Sequence, residues 1–140
     1  MTDPIQEGIA EHRGDRHIRH YLLHLPRPVE EVWSALASSA GLREWLAAAE
    51  PFEPRLGGAV GLCLPDGTVL GRITAWDVER VAEYTIEGRG RGRGRIRFHL
   101  EPGRPTGTTV RFTHESTDEK DPGWRDRFEH LLAYVAGSVR

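Results

Sequence analysis

The chain has 140 residues, a size that fits one ordinary domain and allows a hydrophobic core to form without disulfides or metals. Hydrophobic residues make up 38% and charged residues 29%, with a formal net charge of −2, which excludes a disordered chain and any strong overall attraction for nucleic acid or acidic membranes. The single cysteine, Cys63, excludes an intramolecular disulfide and a multi-cysteine zinc site.

Signals for membrane insertion and secretion are not found in this sequence. No apolar run approaches the roughly 18 residues that a membrane-spanning helix needs. The polar segment 1–16 has no apolar region of the kind that signal peptides contain. We therefore expect a cytoplasmic protein that does not associate with membranes.

The N-terminal third of the chain predicts a tail, a strand and two short helices. Residues 1–15 lack periodicity and contain proline and glycine, so we expect a flexible tail. Residues 17–25 are typical of a strand. Pro28 suits the first position of a helix, and the apolar residues that follow form one helical stripe: Val29, Val32, Trp33 and Leu36. A second short helix is predicted to begin at Ser39.

Residues 52 to 114 predict antiparallel strands. Apolar residues at alternate positions, as in Val60, Leu62 and Leu64, give a strand one apolar face. Turn residues such as Pro65-Asp66-Gly67 separate successive strands. The predicted strands cover residues 52–56, 60–64, 69–78, 81–87, 96–100 and 110–114.

A long helix is predicted to close the chain. Asp121 is a suitable N-cap residue, and Pro122 suits the first helical position. Apolar residues then keep helical spacing: Trp124, Phe128, Leu131, Leu132, Val135 and Val139. The predicted order is thus a strand, two helices, about six antiparallel strands and one long helix.

The order of elements and several short motifs resemble a known family. The motifs are Arg27–Trp33, Leu42–Trp45, Arg55–Gly58, Gly71–Ile73, Glu101-Pro102, Gly107–Val110, Phe112–His114 and Gly123-Trp124. Over residues 17–139 the chain resembles the family named after the activator of the Hsp90 ATPase, a branch of the START/Bet v 1-like (SRPBCC) superfamily. The resemblance implies an α+β helix-grip fold in a single domain, residues 16–140, with a curved antiparallel sheet of about six to seven strands wrapped around the C-terminal helix.

The resemblance also implies a cavity between the sheet and the C-terminal helix. Members of the wider superfamily bind small hydrophobic molecules there, so we expect non-covalent binding of a small hydrophobic or aromatic ligand. The competing interpretation is that the aromatic side chains simply fill the core. The candidate ligand-contacting residues are Trp45, Phe52, Leu62, Tyr84, Ile86, Phe98, His114, Trp124, Phe128 and Leu132.

His114 and Tyr84 are the candidate polar groups of this cavity. Strand alternation places His114 on the same face as Val110 and Phe112, so its imidazole should point inward and could orient a ligand or act as an acid or base. Alternatively it is a hydrogen-bonded core histidine. The Tyr84 hydroxyl could supply a second polar contact. Two rival functions stay open: an enzyme resembling polyketide cyclases or aromatases with His114 as acid or base, and a chaperone partner or other interaction module.

Three histidines near the N-terminus do not predict a metal site. His20 and His24 share a strand face but lie about 13 Å apart, and His17 points to the other face. No phosphate-binding loop, hydrolase elbow or zinc-protease motif is found. We therefore predict no metal, no cofactor and no catalytic residue outside the rival enzyme hypothesis.

The run of alternating glycine and arginine at residues 88–95 has two interpretations. An extended chain places its arginines on one face, where they could track the phosphates of RNA. No aromatic residue for base stacking lies among them, so we favour a solvated, flexible hairpin whose charges discourage edge-to-edge association. The glycines leave the inner face without side chains and could widen a cavity mouth near Tyr84 and Phe98. The sequence is also compatible with a homodimer.

Overall fold

The structure is a computed structural model that describes residues 3–65, 67–88, 92–103, 106–118 and 122–137. Within these ranges it contains three helices: α1 (Val29–Leu36), α2 (Ser39–Trp45) and α3 (Trp124–Val135). The strands are β1 (Ile5–Glu7), β2 (Glu11–Arg13), β3 (Arg16–Leu25), β4 (Ala48–Phe52), β5 (Ala59–Leu64), β6 (Gly67–Asp77), β7 (Val81–Gly88), β8 (Gly92–Pro102) and β9 (Thr108–Ser116).

All the described strands belong to one antiparallel sheet. Its order is β1-β3-β9-β8-β7-β6-β5-β4, and β2 pairs with β3 beside β1. The helices pack on one face, the inner face, with α3 lying across it. This arrangement confirms the predicted helix-grip fold. The sheet has nine described strands instead of the predicted six to seven.

The two additional strands come from the segment that was expected to be a flexible tail. In β1, Ile5 lies opposite Leu23 of β3 and is only 3% exposed. Asp3 accepts a hydrogen bond from the Arg125 guanidinium of α3. In β2, the Glu11 carboxylate lies 2.6 Å from Nε2 of His20. Strands of three residues show no periodicity, so the sequence pattern gives no signal for them.

Strand β4 also differs from its prediction, because it ends at Phe52 where the predicted strand begins. The chain turns back at Glu53, whose backbone N–H donates to the carbonyl of Ala59 at 2.9 Å. The Glu53 carboxylate in turn accepts a hydrogen bond from the Ala59 N–H at 2.8 Å. These two bonds convert residues 53–58 into a turn.

Helix α3 begins at Trp124, two residues after the predicted start at Pro122. Its N-cap is Gly123, with a left-handed φ of 82° that glycine adopts without strain. The predicted N-cap, Asp121, lies outside the described residues. Two arginines attach the first turn of α3 to the sheet and to α2: Arg125 bonds to β1, and Arg127 donates to the carbonyl of Leu46 at 2.8 Å.

The middle of the inner face is filled by aromatic rings that we call the aromatic cluster. Neighbouring rings of this cluster have their centroids about 5–6 Å apart and meet mostly edge to face, a favourable geometry. Its members are Tyr21, Trp45, Phe52, Tyr84, Phe98, Phe112 and Phe128. The space beneath the middle of α3 is therefore occupied by side chains.

Candidate functional site

A cavity lies beneath the first turn of α3, at the end of the sheet where β7 ends and β8 begins. Its volume is about 90 Å³, and the empty space including the open mouth is about 660 Å³. We call it the α3 cavity. Its lining residues are Leu46, Leu62, Leu64, Val69, Ile86, Gly88, Gly94, Ile96, His114, Ser116, Asp118, Pro122, Trp124 and Arg127.

The two walls of the α3 cavity differ in polarity because they come from different strands. Leu62, Val69 and Ile86 form an apolar wall on β5, β6 and β7. His114 and Ser116 form a polar wall on β9. Strand β8 runs between the walls and forms the floor. A ligand in this space would contact apolar groups on one side and hydrogen-bonding groups on the other.

The strand register fixes which residues face each other across the floor. Gly94 of β8 lies directly opposite Ile86 of β7 on one side and Ser116 of β9 on the other. One step deeper, Ile96 lies opposite His114. The Ile96 side chain therefore fills part of the cavity near the core, whereas Gly94 places no side chain in it near the mouth.

The roof of the α3 cavity is formed by α3 together with the end of α2. The ring of Trp124 lies 5.2 Å from the ring of His114, at an angle of 62°. Arg127 and Leu46 both line the cavity, and the hydrogen bond between them closes its side between α3 and α2. The exposed lining residues Asp118 and Pro122, with the half-buried Gly88, mark the solvent-facing side of the cavity, its mouth.

The polar wall is held in place by its surroundings. His114 is only 6% exposed, with Trp124 against its ring and Arg19 opposite it on β3. The Ser116 hydroxyl accepts a hydrogen bond of 3.0 Å from the Asp118 N–H. A buried imidazole and an anchored hydroxyl side by side can orient a bound molecule through hydrogen bonds.

The structure brings some of the candidate ligand-contacting residues together and separates others from the cavity. Leu62, Ile86, His114 and Trp124 line the α3 cavity. The rest lie in the aromatic cluster or pack against the core: Trp45, Phe52, Tyr84, Phe98, Phe128 and Leu132. The interior of the fold is thus divided into a filled middle and a hollow end.

Tyr84 uses its hydroxyl within the core. The hydroxyl donates a hydrogen bond of 2.7 Å to the carbonyl oxygen of Leu36, the last residue of α1. Burial among the aromatic rings raises the pKa of Tyr84 well above the ordinary tyrosine value. The hydroxyl expected to orient a ligand therefore fastens α1 to the sheet.

Several cavity residues were missed by the sequence analysis. Ser116 and Leu64 continue the alternation of His114 and Leu62, so period-two spacing could have identified them. Gly88 and Gly94 line the cavity, but the predicted position of the mouth near Tyr84 and Phe98 is wrong, because Tyr84 and Phe98 are both buried in the aromatic cluster. Leu46, Val69, Asp118, Pro122 and Arg127 depend on how α2, β6 and the segment before α3 pack together, which the local sequence does not encode.

The described arginines of the Gly-Arg run face the outer side of the sheet and are paired with acids. Arg93 lies 3.0 Å from Glu87, and Arg97 lies 3.1 Å from Glu83. Arg95 lies 3.2 Å from Glu115 on β9. Arg89 and Arg91 lie outside the described residues. The charges of the described part of the row are thus neutralised by acids on neighbouring strands.

The described residues give neither a metal cluster nor a membrane span. They contain no group of three or more side chains placed to hold a metal ion. Of the N-terminal histidines, His17 stacks on His12 at 4.5 Å, and His20 pairs with Glu11. In the same part of the chain, no helix has the length and apolar character that crossing a membrane requires.

Comparisons with known proteins relate this chain to one family and to several solved structures. The family model described as "Activator of Hsp90 ATPase homolog 1-like protein" matches residues 26–136. No curated protein sequence matches the chain.

The similar structures share the fold at low sequence identity. One is CalU16 from Micromonospora echinospora, with a TM-score of 0.79 and 18% identity over 96% of this chain and 88% of that one. Another is protein MLL2253 from Mesorhizobium loti, with a TM-score of 0.74 and 21% identity over 88% and 99% of the two chains. A third is the Aha1 dimer from Colwellia psychrerythraea, with a TM-score of 0.69 and 18% identity over 84% and 95%.

Proposed function

The chain belongs to the family of Activator of Hsp90 ATPase homolog 1-like proteins, and from this premise we propose that it binds a small hydrophobic or aromatic molecule, non-covalently, in the α3 cavity. The observation that carries the proposal is the division of this cavity into an apolar wall and a polar wall with an open mouth. Ligand sites in proteins typically combine mostly apolar surfaces with a few convergent polar groups.

The size of the cavity limits how a ligand is held. Ligand sites usually measure about 300–1,000 Å³, whereas this cavity is about 90 Å³ and reaches about 660 Å³ only when space open to solvent is included. We infer that one apolar group of the ligand enters the cavity and that the remainder occupies the mouth, beside Gly88 and Pro122.

The energetics support contacts at both places. Burying about 100 Å² of apolar surface in the cavity supplies about 2.5 kcal/mol. Micromolar affinity requires about 8 kcal/mol. The difference has to come from further apolar surface in the mouth and from hydrogen bonds to the polar wall.

Native mass spectrometry of the protein purified from its own host tests this proposal. We expect a bound small molecule, identified after solvent extraction, on the unaltered protein. Ile86→Trp, which fills the mouth beside Gly94, should remove it. Leu70→Trp is the matched control, because Leu70 lies on the neighbouring strand, is 58% exposed and does not line the cavity.

Two results would count against the proposal. The first is an unaltered protein that carries no small molecule in the native spectrum. The second is a bound molecule that remains in full on the Ile86→Trp protein, which would place its site elsewhere.

A second candidate function is acid–base catalysis in the same cavity. It rests on the position of His114, whose imidazole belongs to the cavity wall instead of the aromatic cluster. An imidazole can exchange protons near neutral pH. Incubating the extracted molecule with the protein and with His114→Ala separates the two functions. A carrier leaves the molecule unchanged and still binds it, with lower affinity, after the substitution, whereas an enzyme converts it and His114→Ala abolishes the conversion.

A further inference from the structure

Gly94 is a glycine that the backbone does not require. Its φ is not in the left-handed region, unlike that of Gly123. A methyl group added at Gly94 would lie 3.2 Å from the Glu115 carbonyl oxygen and 3.3 Å from Cγ1 of Ile86. Both contacts are tight: the first needs a shift of a few tenths of an ångström between the backbones of β8 and β9, and the second can be relieved by the flexible Ile86 side chain.

Gly71 shows what a structurally required glycine looks like in the same sheet. A methyl group at Gly71 would lie 1.6 Å from the carbonyl oxygen of Thr85, a distance that no side-chain movement can relieve. Gly71 is needed because two backbones approach each other closely. At Gly94 no contact is that short, and the residue lines the α3 cavity, where an added side chain would take up part of its limited space.

The space at Gly94 has the form of a slot. Neighbouring strands lie about 4.8 Å apart, so Ile86 and Ser116, on either side of Gly94, are separated by about 10 Å. Their side chains narrow this gap, and Trp124 closes it from above. A flat ring that lies between the Gly94 floor and the Trp124 roof, with its edges toward Ile86 and Ser116, fits this space better than a branched aliphatic group does.

We propose that Gly94 is the specificity-determining residue of the α3 cavity, and that it selects flat fused-ring molecules that carry a hydrogen-bonding group on one edge. One face of the rings lies on the Gly94 floor and the other lies beneath Trp124, while an apolar edge contacts Ile86 and the polar edge faces Ser116 and His114. This inference rests on the proposed function, since it names the class of ligand that the same cavity accepts.

A side chain at position 94 should act mainly on ligands long enough to cross it. A single ring held at the mouth or beside the polar wall avoids the added methyl group in Gly94→Ala. A fused pair of rings cannot avoid it. The substitution should therefore discriminate by ligand length and leave the fold intact.

Phenol and 2-naphthol are suitable probes because they share one hydroxyl and differ by one ring. Their affinities are measured by titration of ¹⁵N-labelled protein, with amide chemical shifts showing the site. We expect the unaltered protein to bind 2-naphthol more tightly than phenol. Gly94→Ala should lower the affinity for 2-naphthol by about tenfold and change the affinity for phenol by less than about threefold. A tenfold loss is in line with the effect of one methyl group in a tight pocket.

Gly103→Ala is the matched control. A methyl group at Gly103 would also make a close contact, 3.1 Å from Oγ1 of Thr109, but Gly103 follows β8 at the opposite end of the sheet. This variant should bind both probes as the unaltered protein does. The amide spectrum of each variant shows directly whether the fold is retained.

The possible failures of the two proposals are distinguishable. If both probes shift the amide signals of cavity residues, and Gly94→Ala lowers the two affinities equally or not at all, the role of Gly94 is contradicted. The binding function is then still supported. Equal affinity of the unaltered protein for phenol and 2-naphthol contradicts selection for fused rings. The absence of shifts at cavity residues with either probe contradicts both proposals.

Discussion

Tyr84 illustrates at the scale of one residue how the core of this fold is closed. The ring packs against Phe52 and Phe98, and the hydroxyl reaches the carbonyl oxygen of Leu36. A buried hydroxyl without a partner would cost free energy, so this hydrogen bond is what allows a tyrosine at the centre of an aromatic cluster. It also removes the hydroxyl from the set of groups that a ligand could contact.

Replacing Tyr84 with phenylalanine should lower the free energy of unfolding by about 1 kcal/mol at pH 7, because the Leu36 carbonyl loses its donor. The pH dependence should change as well. Burial raises the pKa of Tyr84 above 10, so the folded state keeps the proton that the unfolded chain releases, and stability falls as the pH rises above about 10. In urea unfolding experiments above this pH, the free energy of unfolding should fall less for Tyr84→Phe than for the unaltered protein. Tyr134→Phe, at a more exposed position, is the control, and equal behaviour of the two variants would contradict this account.

At the scale of elements, the strands β1 and β2 form an N-terminal strap, residues 3–13, that ties the edge of the sheet to α3. Asp3 accepts hydrogen bonds from the Ile5 N–H and from Arg125, and these lower its pKa. Hydrogen bonds from His20 and Arg13 lower the pKa of Glu11 in the same way. The carboxylates of Asp3 and Glu11, each stabilised in its charged form by hydrogen bonds, thus hold the two ends of the strap.

The strap should loosen in acid. Because folding lowers the pKa of Asp3, its contribution to stability is present above the unfolded-state pKa near 4 and is lost as the pH falls through the folded-state pKa. Asp3→Asn should therefore melt at a lower temperature than the unaltered protein at pH 7 and at the same temperature near pH 2. Asp77→Asn, an exposed acid on β6, is the control. A difference for Asp3→Asn that persists at pH 2 would contradict the assignment.

For the molecule as a whole, the two faces of the sheet have separate roles. The inner face holds the helices, the aromatic cluster and the α3 cavity. The outer face carries rows of opposite charges on neighbouring strands, with Arg95 between Glu83 and Glu115. Paired charges on an uncovered sheet favour solvation over association with another sheet or with a polyanion.

Removing acidic partners on this face should leave more of the positive charge of the arginine row on β8, Arg93, Arg95 and Arg97, available to a polyanion. The unaltered protein should bind a fluorescent oligouridine weakly at physiological salt in anisotropy measurements. The double variant Glu83→Gln, Glu115→Gln should bind it more tightly, and added salt should reverse the gain because the attraction is electrostatic. Glu30→Gln, Glu31→Gln on α1 gives the same change in net charge away from the row and serves as the control. Equal binding by both double variants would show that the row has no special effect.

Much of the fold could be predicted from local patterns, and the exceptions have physical causes. The stripe that contains Trp33 and the strands around Val60 and His114 were predicted because burying one face imposes a period on the sequence. Strands β1 and β2 are too short to show a period. The segment that begins with Asp3 is also held by Arg125, which lies more than a hundred residues away in the sequence.

The cavity was harder to predict than the fold, because it depends on which side chains fail to fill the interior. Strand alternation correctly turned His114 inward, but it turned Tyr84 and Phe98 inward as well. The difference arises from register and helix placement: α1 and α2 lie over Tyr84 and Phe98, whereas Gly94, opposite Ser116 on β9, adds no side chain to the space beneath the first turn of α3. Neither the register nor the helix placement can be read from one strand at a time.

Methyl NMR can locate a bound probe in the α3 cavity directly. Protein with labelled isoleucine, leucine and valine methyl groups is titrated with 2-naphthol, and intermolecular NOEs are recorded. We predict contacts to Leu64, Val69 and Ile86 around the α3 cavity. Contacts to Leu23, Leu36 or Leu131 in the filled core, or saturable binding with contacts only on the outer face, would contradict this prediction.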